Sequence, residues 1–140
     1  MDKYSIENLK TLHKNISKNA IDLWMDYSDR IRITCGFRGN EEQEILFKNH
    51  RSNAHGGQSY HNYGLAFDFC VLLPGGQVDY KFSKYKHVQE FIDLFKKNGW
   101  SYSGDWSKKG FTEEGHLEFN FYNLSELQAM KKDSNGYPIF

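Results

Sequence analysis

Gly64-Leu65-Ala66-Phe67-Asp68-Phe69-Cys70-Val71-Leu72 is an apolar run broken by a single carboxylate. Its branched and aromatic residues, and the Pro74-Gly75-Gly76 turn beyond it, predict a β-strand paired through that turn with Gln77-Val78-Asp79-Tyr80. An unpaired carboxylate within such a strand would cost on the order of several kcal/mol or take up a proton, so Asp68 calls for a cation. His61 stands seven positions earlier, across a turn eased by Gly64. That separation lets a loop imidazole fold back and share a metal ion with the carboxylate.

Around this strand the pattern is mixed. Ile6, Leu9, Leu12, Ile16, Ala20 and Leu23 recur at helical spacing and predict one core-facing helix with Ser5 as its N-cap. Ile31-Arg32-Ile33-Thr34-Cys35 alternates as a strand and ends at Gly36; Asn40-Glu41-Glu42-Gln43 then has the capping-box pattern of a second helix. Lys48 to Tyr63 is polar and aperiodic, a surface loop. Val88, Phe91, Ile92 and Phe95 mark a third helix between Ser83 and Asn98-Gly99. Leu117, Phe119 and Phe121 alternate with His116, Glu118 and Asn120, a strand that places His116 and Glu118 on one face. Asn123 to Glu126 opens a short last helix around Leu127 and Met130.

A chain of 140 residues suits one compact domain, and its 18 basic and 18 acidic side chains cancel. Such a balance excludes a large basic field for nucleic acid or an anionic membrane. No run approaches the roughly 20 apolar residues of a membrane span, and Met1-Asp2-Lys3-Tyr4-Ser5 lacks the blocks of a signal peptide, so synthesis in the cytoplasm is expected. Cys35 and Cys70 lie in predicted strands and read as small hydrophobes, with neither zinc-finger spacing nor a disulfide framework. His13 and His87 read as surface or capping residues, and His50 and His55 as loop residues able to touch a ligand.

A catalytic zinc takes three nitrogen or oxygen ligands at about 2.0 to 2.2 Å and leaves a position open to water. His116 supplies the third donor beside His61 and Asp68. Glu113, three residues before His116, can stand beside the water and act as general base, whereas Glu114 reads as solvated. Arg38 offers a fixed charge for a substrate carbonyl or carboxylate; a structural ion pair is the competing reading.

Ser59-Tyr60-His61-Asn62-Tyr63-Gly64-Leu65-Ala66-Phe67-Asp68 matches the pattern Ser-x-His-x-x-Gly-x-Ala-x-Asp. With Gly36-Phe37-Arg38 and Gln43, and with Gly104-Asp105-Trp106 ahead of Glu113-x-x-His116-Leu117-Glu118, it resembles the D-Ala-D-Ala carboxypeptidase and L-alanyl-D-glutamate endopeptidase superfamily over roughly residues 30 to 120. The resemblance implies an α+β fold, a small antiparallel sheet with flanking helices shared with hedgehog domains, and a Zn2+ peptidase acting on bacterial peptidoglycan stem peptides. It implies His61, Asp68 and His116 as metal ligands, Glu113 as base, Arg38 as stabiliser, and Ser59, Tyr60 and Trp106 at the substrate; Glu118, by its place on the His116 face, reads as a group able to orient a metal-bound histidine.

The segment from His55 to Gly64 is most similar to L-alanyl-D-glutamate endopeptidases of phage endolysins and wall hydrolases. Many of those carry Asp at the base position, whereas this chain carries Glu113 as the D-Ala-D-Ala dipeptidases carry Glu, which keeps a carboxypeptidase or dipeptidase as the alternative. A non-catalytic zinc-binding module of the same fold is the other. The expectation is one catalytic domain over residues 1–140, monomeric, without a separate wall-binding domain, reaching the wall by holin-assisted release.

Overall fold

The computed structural model describes residues 2–82, 84–105 and 115–140. The amphipathic N-terminal stretch forms two helices, α1 (Lys3–Lys10) and α2 (Lys14–Met25), not the single helix its spacing predicts. The apolar stripe survives the break, with Leu9, Leu12, Ile16 and Ala20 buried. His13 makes the break: its Nδ1 accepts from the Asn15 N–H and caps α2, while its own N–H goes to the Gly64 carbonyl at 2.8 Å. Ser5 is no cap. Its buried hydroxyl donates to Asp2 and accepts from the Ile33 N–H.

Among the described residues, five strands form one antiparallel sheet: β1 (Ile31–Cys35), β2 (Ala66–Leu72), β3 (Val78–Asp79), β4 (Ser101–Tyr102) and β5 (His116–Glu118). The order is β1-β2-β5-β4, with β3 beside the last residues of β2. This is the expected α+β architecture, although β4, two residues long, has no sequence signal. Residues 119–121 do not extend β5 as their alternation predicts. Its partner β2 begins opposite Glu118, so the ladder closes with the Phe119 N–H on the Leu65 carbonyl, and Phe121 is left exposed.

Helix α1 covers the outer strand β1, where Asn8 Nδ2 donates to the Ile33 carbonyl at 2.9 Å and satisfies a group that would otherwise invite another strand. The core lies on the other side of β2. Phe67 and Phe69 meet Phe91 and Phe95 of α4 (Lys86–Lys97) and Trp100, with ring centroids near 5.2 Å in edge-on pairs. The proposed cap of this helix, Ser83, lies outside the described residues.

Helix α3 (Asn40–Lys48) starts after Gly39, so Asn40 is its first residue and Gln43 closes no capping box. Gln43 is buried because its amide is used elsewhere: Nε2 donates to Ser52 Oγ and the Ala54 carbonyl, both at 2.8 Å, and Oε1 accepts from Arg38 Nη1. The predicted loop hides a 3-10 turn, Tyr60–Tyr63, in which His61, Asn62 and Tyr63 are buried. Helix α5 (Leu124–Ala129) carries the expected Asn123/Glu126 capping box. No helix among the described residues is long and apolar enough to cross a membrane.

Candidate metal centre

Alternation along β2 turns Asp68 away from the face that Phe67 and Phe69 present to the core. Antiparallel pairing sets His116 directly opposite Asp68 and Glu118 opposite Ala66, so all three polar side chains share a face. On the other flank β1 bulges: Ile33 pairs with Phe69, but Cys35 pairs with Asp68. The extra residue reverses the alternation and moves Cys35 from the Ile31 and Ile33 face to the Asp68 face.

His61 arrives from the 3-10 turn, where Ser59 Oγ accepts from the His61 N–H and Asn62 Oδ1 accepts from the Ser59 N–H. The turn closes at Gly64 with φ 71°, and a Cβ there would stand 2.6 Å from the Tyr137 ring and 2.7 Å from the His13 nitrogen. Only glycine fits. Gly115 is similarly constrained, with φ 82° and a Cβ position 2.3 Å from the Phe69 carbonyl oxygen, which keeps His116 close against β2.

The two imidazoles converge on one carboxylate oxygen. His61 Nε2 and His116 Nδ1 each lie 3.0 Å from Asp68 Oδ1, and the rings are 5.0 Å apart. The far nitrogens are also held, His61 Nδ1 by the Gly36 carbonyl at 2.8 Å and His116 Nε2 by Glu118 Oε1 at 2.8 Å. Each of these oxygens can only accept, so both rings carry two protons in this arrangement. A cation that replaced the two inner protons would find two nitrogens and one oxygen aimed at it, with both tautomers already fixed from behind. The donor set therefore fits a divalent metal such as zinc.

Electrostatics follow from the same contacts. Burial disfavours a charged His61, but the Asp68 carboxylate and, less strongly, Cys35 outweigh it and carry the imidazole up to about 10. His116 is also raised, its burial overcome by hydrogen bonds to Asp68 and Glu118. Burial would raise Asp68, yet the charged histidines hold it well below the usual carboxylate range.

A pH dependence follows for the metal-free protein. The contribution of Asp68 is present above its ordinary value of 3.8 and is lost as pH falls further. That of His61 is complete below 6.5 and is lost as pH rises toward about 10. Urea midpoints in the presence of a chelator should thus fall from pH 6.5 to 9.5; a flat or rising midpoint would contradict the protonated pair.

Arg38 reaches the same centre. Its Nη2 is 3.6 Å from Asp68 Oδ2 and 3.4 Å from Cys35 Sγ, while Nη1 donates to Gln43 Oε1 at 3.1 Å. It is both an ion-pair partner and, with Ser59, Tyr60, His61, His116 and Glu118, a wall of an open groove of about 510 Å3. The Tyr60 hydroxyl donates to the Tyr122 carbonyl at 2.8 Å, and burial together with the Glu118 and Glu126 charges pushes it up to about 12. Glu113, Glu114 and Trp106 lie outside the described residues. His50 lines the groove, whereas His55 pairs with Glu44 and packs on Phe47.

Cys35 is the residue that sequence reasoning missed. Its Sγ is 4.0 Å from His61 Nδ1, and ligand atoms of Cys35, His61 and Asp68 all lie within 4.8 Å of one another. Both cysteines are free, and Cys70 is buried as expected.

Two imidazoles that line an open groove and converge on one carboxylate oxygen, with a fixed guanidinium beside them, make up the arrangement of a metallohydrolase. Residues 52–119 match the family model described as D-alanyl-D-alanine carboxypeptidase. The chain is 33% identical over 123 residues to the peptidoglycan L-alanyl-D-glutamate endopeptidase CwlK of Bacillus subtilis (strain 168), covering 76% of this chain and 72% of that protein. The L-Ala D-Glu endopeptidase ChiX of Serratia marcescens shares the fold with a TM-score of 0.67 at 22% identity, over 86% of this chain and 90% of ChiX. The D,D-dipeptidase VanXYg, solved with a D-Ala-D-Ala phosphinate analogue, aligns with a TM-score of 0.58 at 19% identity, over 91% of this chain and 56% of that one. The chain belongs to this family of D-alanyl-D-alanine carboxypeptidases and L-alanyl-D-glutamate endopeptidases.

Proposed function

We propose that the chain is a zinc-dependent L-alanyl-D-glutamate endopeptidase that cleaves peptidoglycan stem peptides. The convergence of His61 and His116 on Asp68 carries this reading, in a chain one third identical to an enzyme of that activity. His61 through Nε2, Asp68 through Oδ1 and His116 through Nδ1 would hold the ion. When bound, zinc supplies a Lewis acid for the scissile carbonyl and renders a water acidic near neutral pH.

The chain's own groups do the rest. Gly36 and Glu118 keep the outer imidazole protons in place, so the inner lone pairs face the site. Glu113 takes a proton from the attacking water and returns it to the departing amine. Arg38, steadied by Gln43, offers positive charge to the carbonyl oxygen as negative charge develops. Ser59 and Tyr60 line the groove, and we assign Trp106 to the same substrate site. The enzyme acts at the wall after holin-assisted release from the cytoplasm.

Glu118→Ala is expected to weaken zinc affinity by about 10- to 100-fold, measured by competition with a chromophoric chelator; unchanged affinity would remove Glu118 from the site. A D-Ala-D-Ala carboxypeptidase is the second reading, favoured by the matched family description and by Glu113. Mass spectrometry of purified peptidoglycan treated with the zinc-loaded protein separates the two. New D-Glu amino termini are expected; free D-Ala would support the second reading, and no product would indicate a binding module.

A further inference from the structure

Helix α3 ends in a turn that glycine usually makes. The Arg51 N–H returns to the Leu46 carbonyl at 2.9 Å and the His50 N–H to the Phe47 carbonyl at 3.1 Å, with His50 at the left-handed position, φ 59°. His50 is the one non-glycine residue with positive φ among the described residues. A side chain held in a strained conformation on the wall of a functional groove points to a role in that groove. His50 and the adjacent Arg51 both line it, together with Arg38, His61 and His116.

The charges there are unevenly matched. Of the four arginines, Arg30, Arg32 and Arg38 each face an aspartate, whereas Arg51 has no ion pair or side-chain hydrogen bond among the described residues. Among the described residues that line the groove the one carboxylate is Glu118, which is committed to His116. An open groove with an unpartnered guanidinium and no free carboxylate among its described residues suits an anionic ligand, and a guanidinium fork matches a carboxylate best.

We propose that Arg51, placed at the groove by the His50 turn, is a specificity residue that receives a carboxylate of the peptide substrate. This rests on the endopeptidase reading. A D-glutamate joined onward through one of its two carboxyls keeps the other free, so the substrate brings an anion within one residue of the scissile bond.

The test uses the zinc-loaded protein and two synthetic stem peptides that differ only in whether that free carboxyl of D-glutamate is ionised or amidated. The wild-type protein should favour the acid in kcat/KM. Arg51→Gln should lower kcat/KM for the acid by about 10- to 100-fold while leaving the amide within about twofold, and Arg51→Lys should keep part of the preference. Zinc content and circular dichroism of the variants report that the exposed substitution leaves the fold in place. Equal losses on both peptides, or no loss on the acid, would overturn the assignment. A wild-type protein that cleaves neither peptide would overturn the endopeptidase reading and the subsite together.

Discussion

Asp68→Asn is expected to abolish both zinc binding and peptidase activity. Asp68 touches His61, His116 and Arg38 at once, so the substitution removes a ligand and the charge that organises the other groups. The loss of metal affinity should exceed the roughly 100-fold typical of losing an outer partner. Without metal, the two imidazoles lose the negative charge that faces their inner protons, because the asparagine amide offers only a neutral oxygen in its place. Removing one partner of a buried ion pair costs about 3–5 kcal/mol, and because 31% of the Asp68 side chain is exposed to solvent the destabilisation should fall below that range, at about 2 kcal/mol. Zinc analysis and urea unfolding read the two effects separately. A variant that kept its zinc and its activity would refute the role of Asp68.

Glu113→Gln should behave in the opposite way toward the metal. Glutamine has no basic site for the proton of the attacking water, so turnover should drop by about 100- to 10,000-fold while zinc content stays at the wild-type level. Glu114→Gln, one position along, should change little. An active Glu113→Gln would remove the base assignment, and a metal-free one would make Glu113 a ligand instead.

The meeting of His61, Asp68 and His116 was legible because two local signals agreed. Asp68 stood out as a carboxylate in an apolar strand, and the alternation of β5 put His116 and Glu118 on one face, where the register opposite Ala66 and Asp68 indeed places them. Helix breaks and bulges were not legible, since they depend on contacts distant in the chain. The N-terminal stripe reads as one helix because nothing near His13 announces that its N–H will bond Gly64. Cys35 reads as a core residue because strict alternation puts it with Ile31 and Ile33; a one-residue bulge turns it to Asp68. Arg51 is one cation in a polar loop, and its place on the groove follows from how α3 ends.

That bulge makes the third ligand the point on which the account turns. His116 and Cys35 flank Asp68 from opposite strands, and each could complete a set with His61 and Asp68. X-ray absorption at the zinc edge of the stoichiometrically loaded protein distinguishes them directly. The account predicts a shell of nitrogen and oxygen alone at about 2.0 to 2.2 Å, with the outer scattering of two imidazoles; a sulfur shell at about 2.3 Å would contradict it.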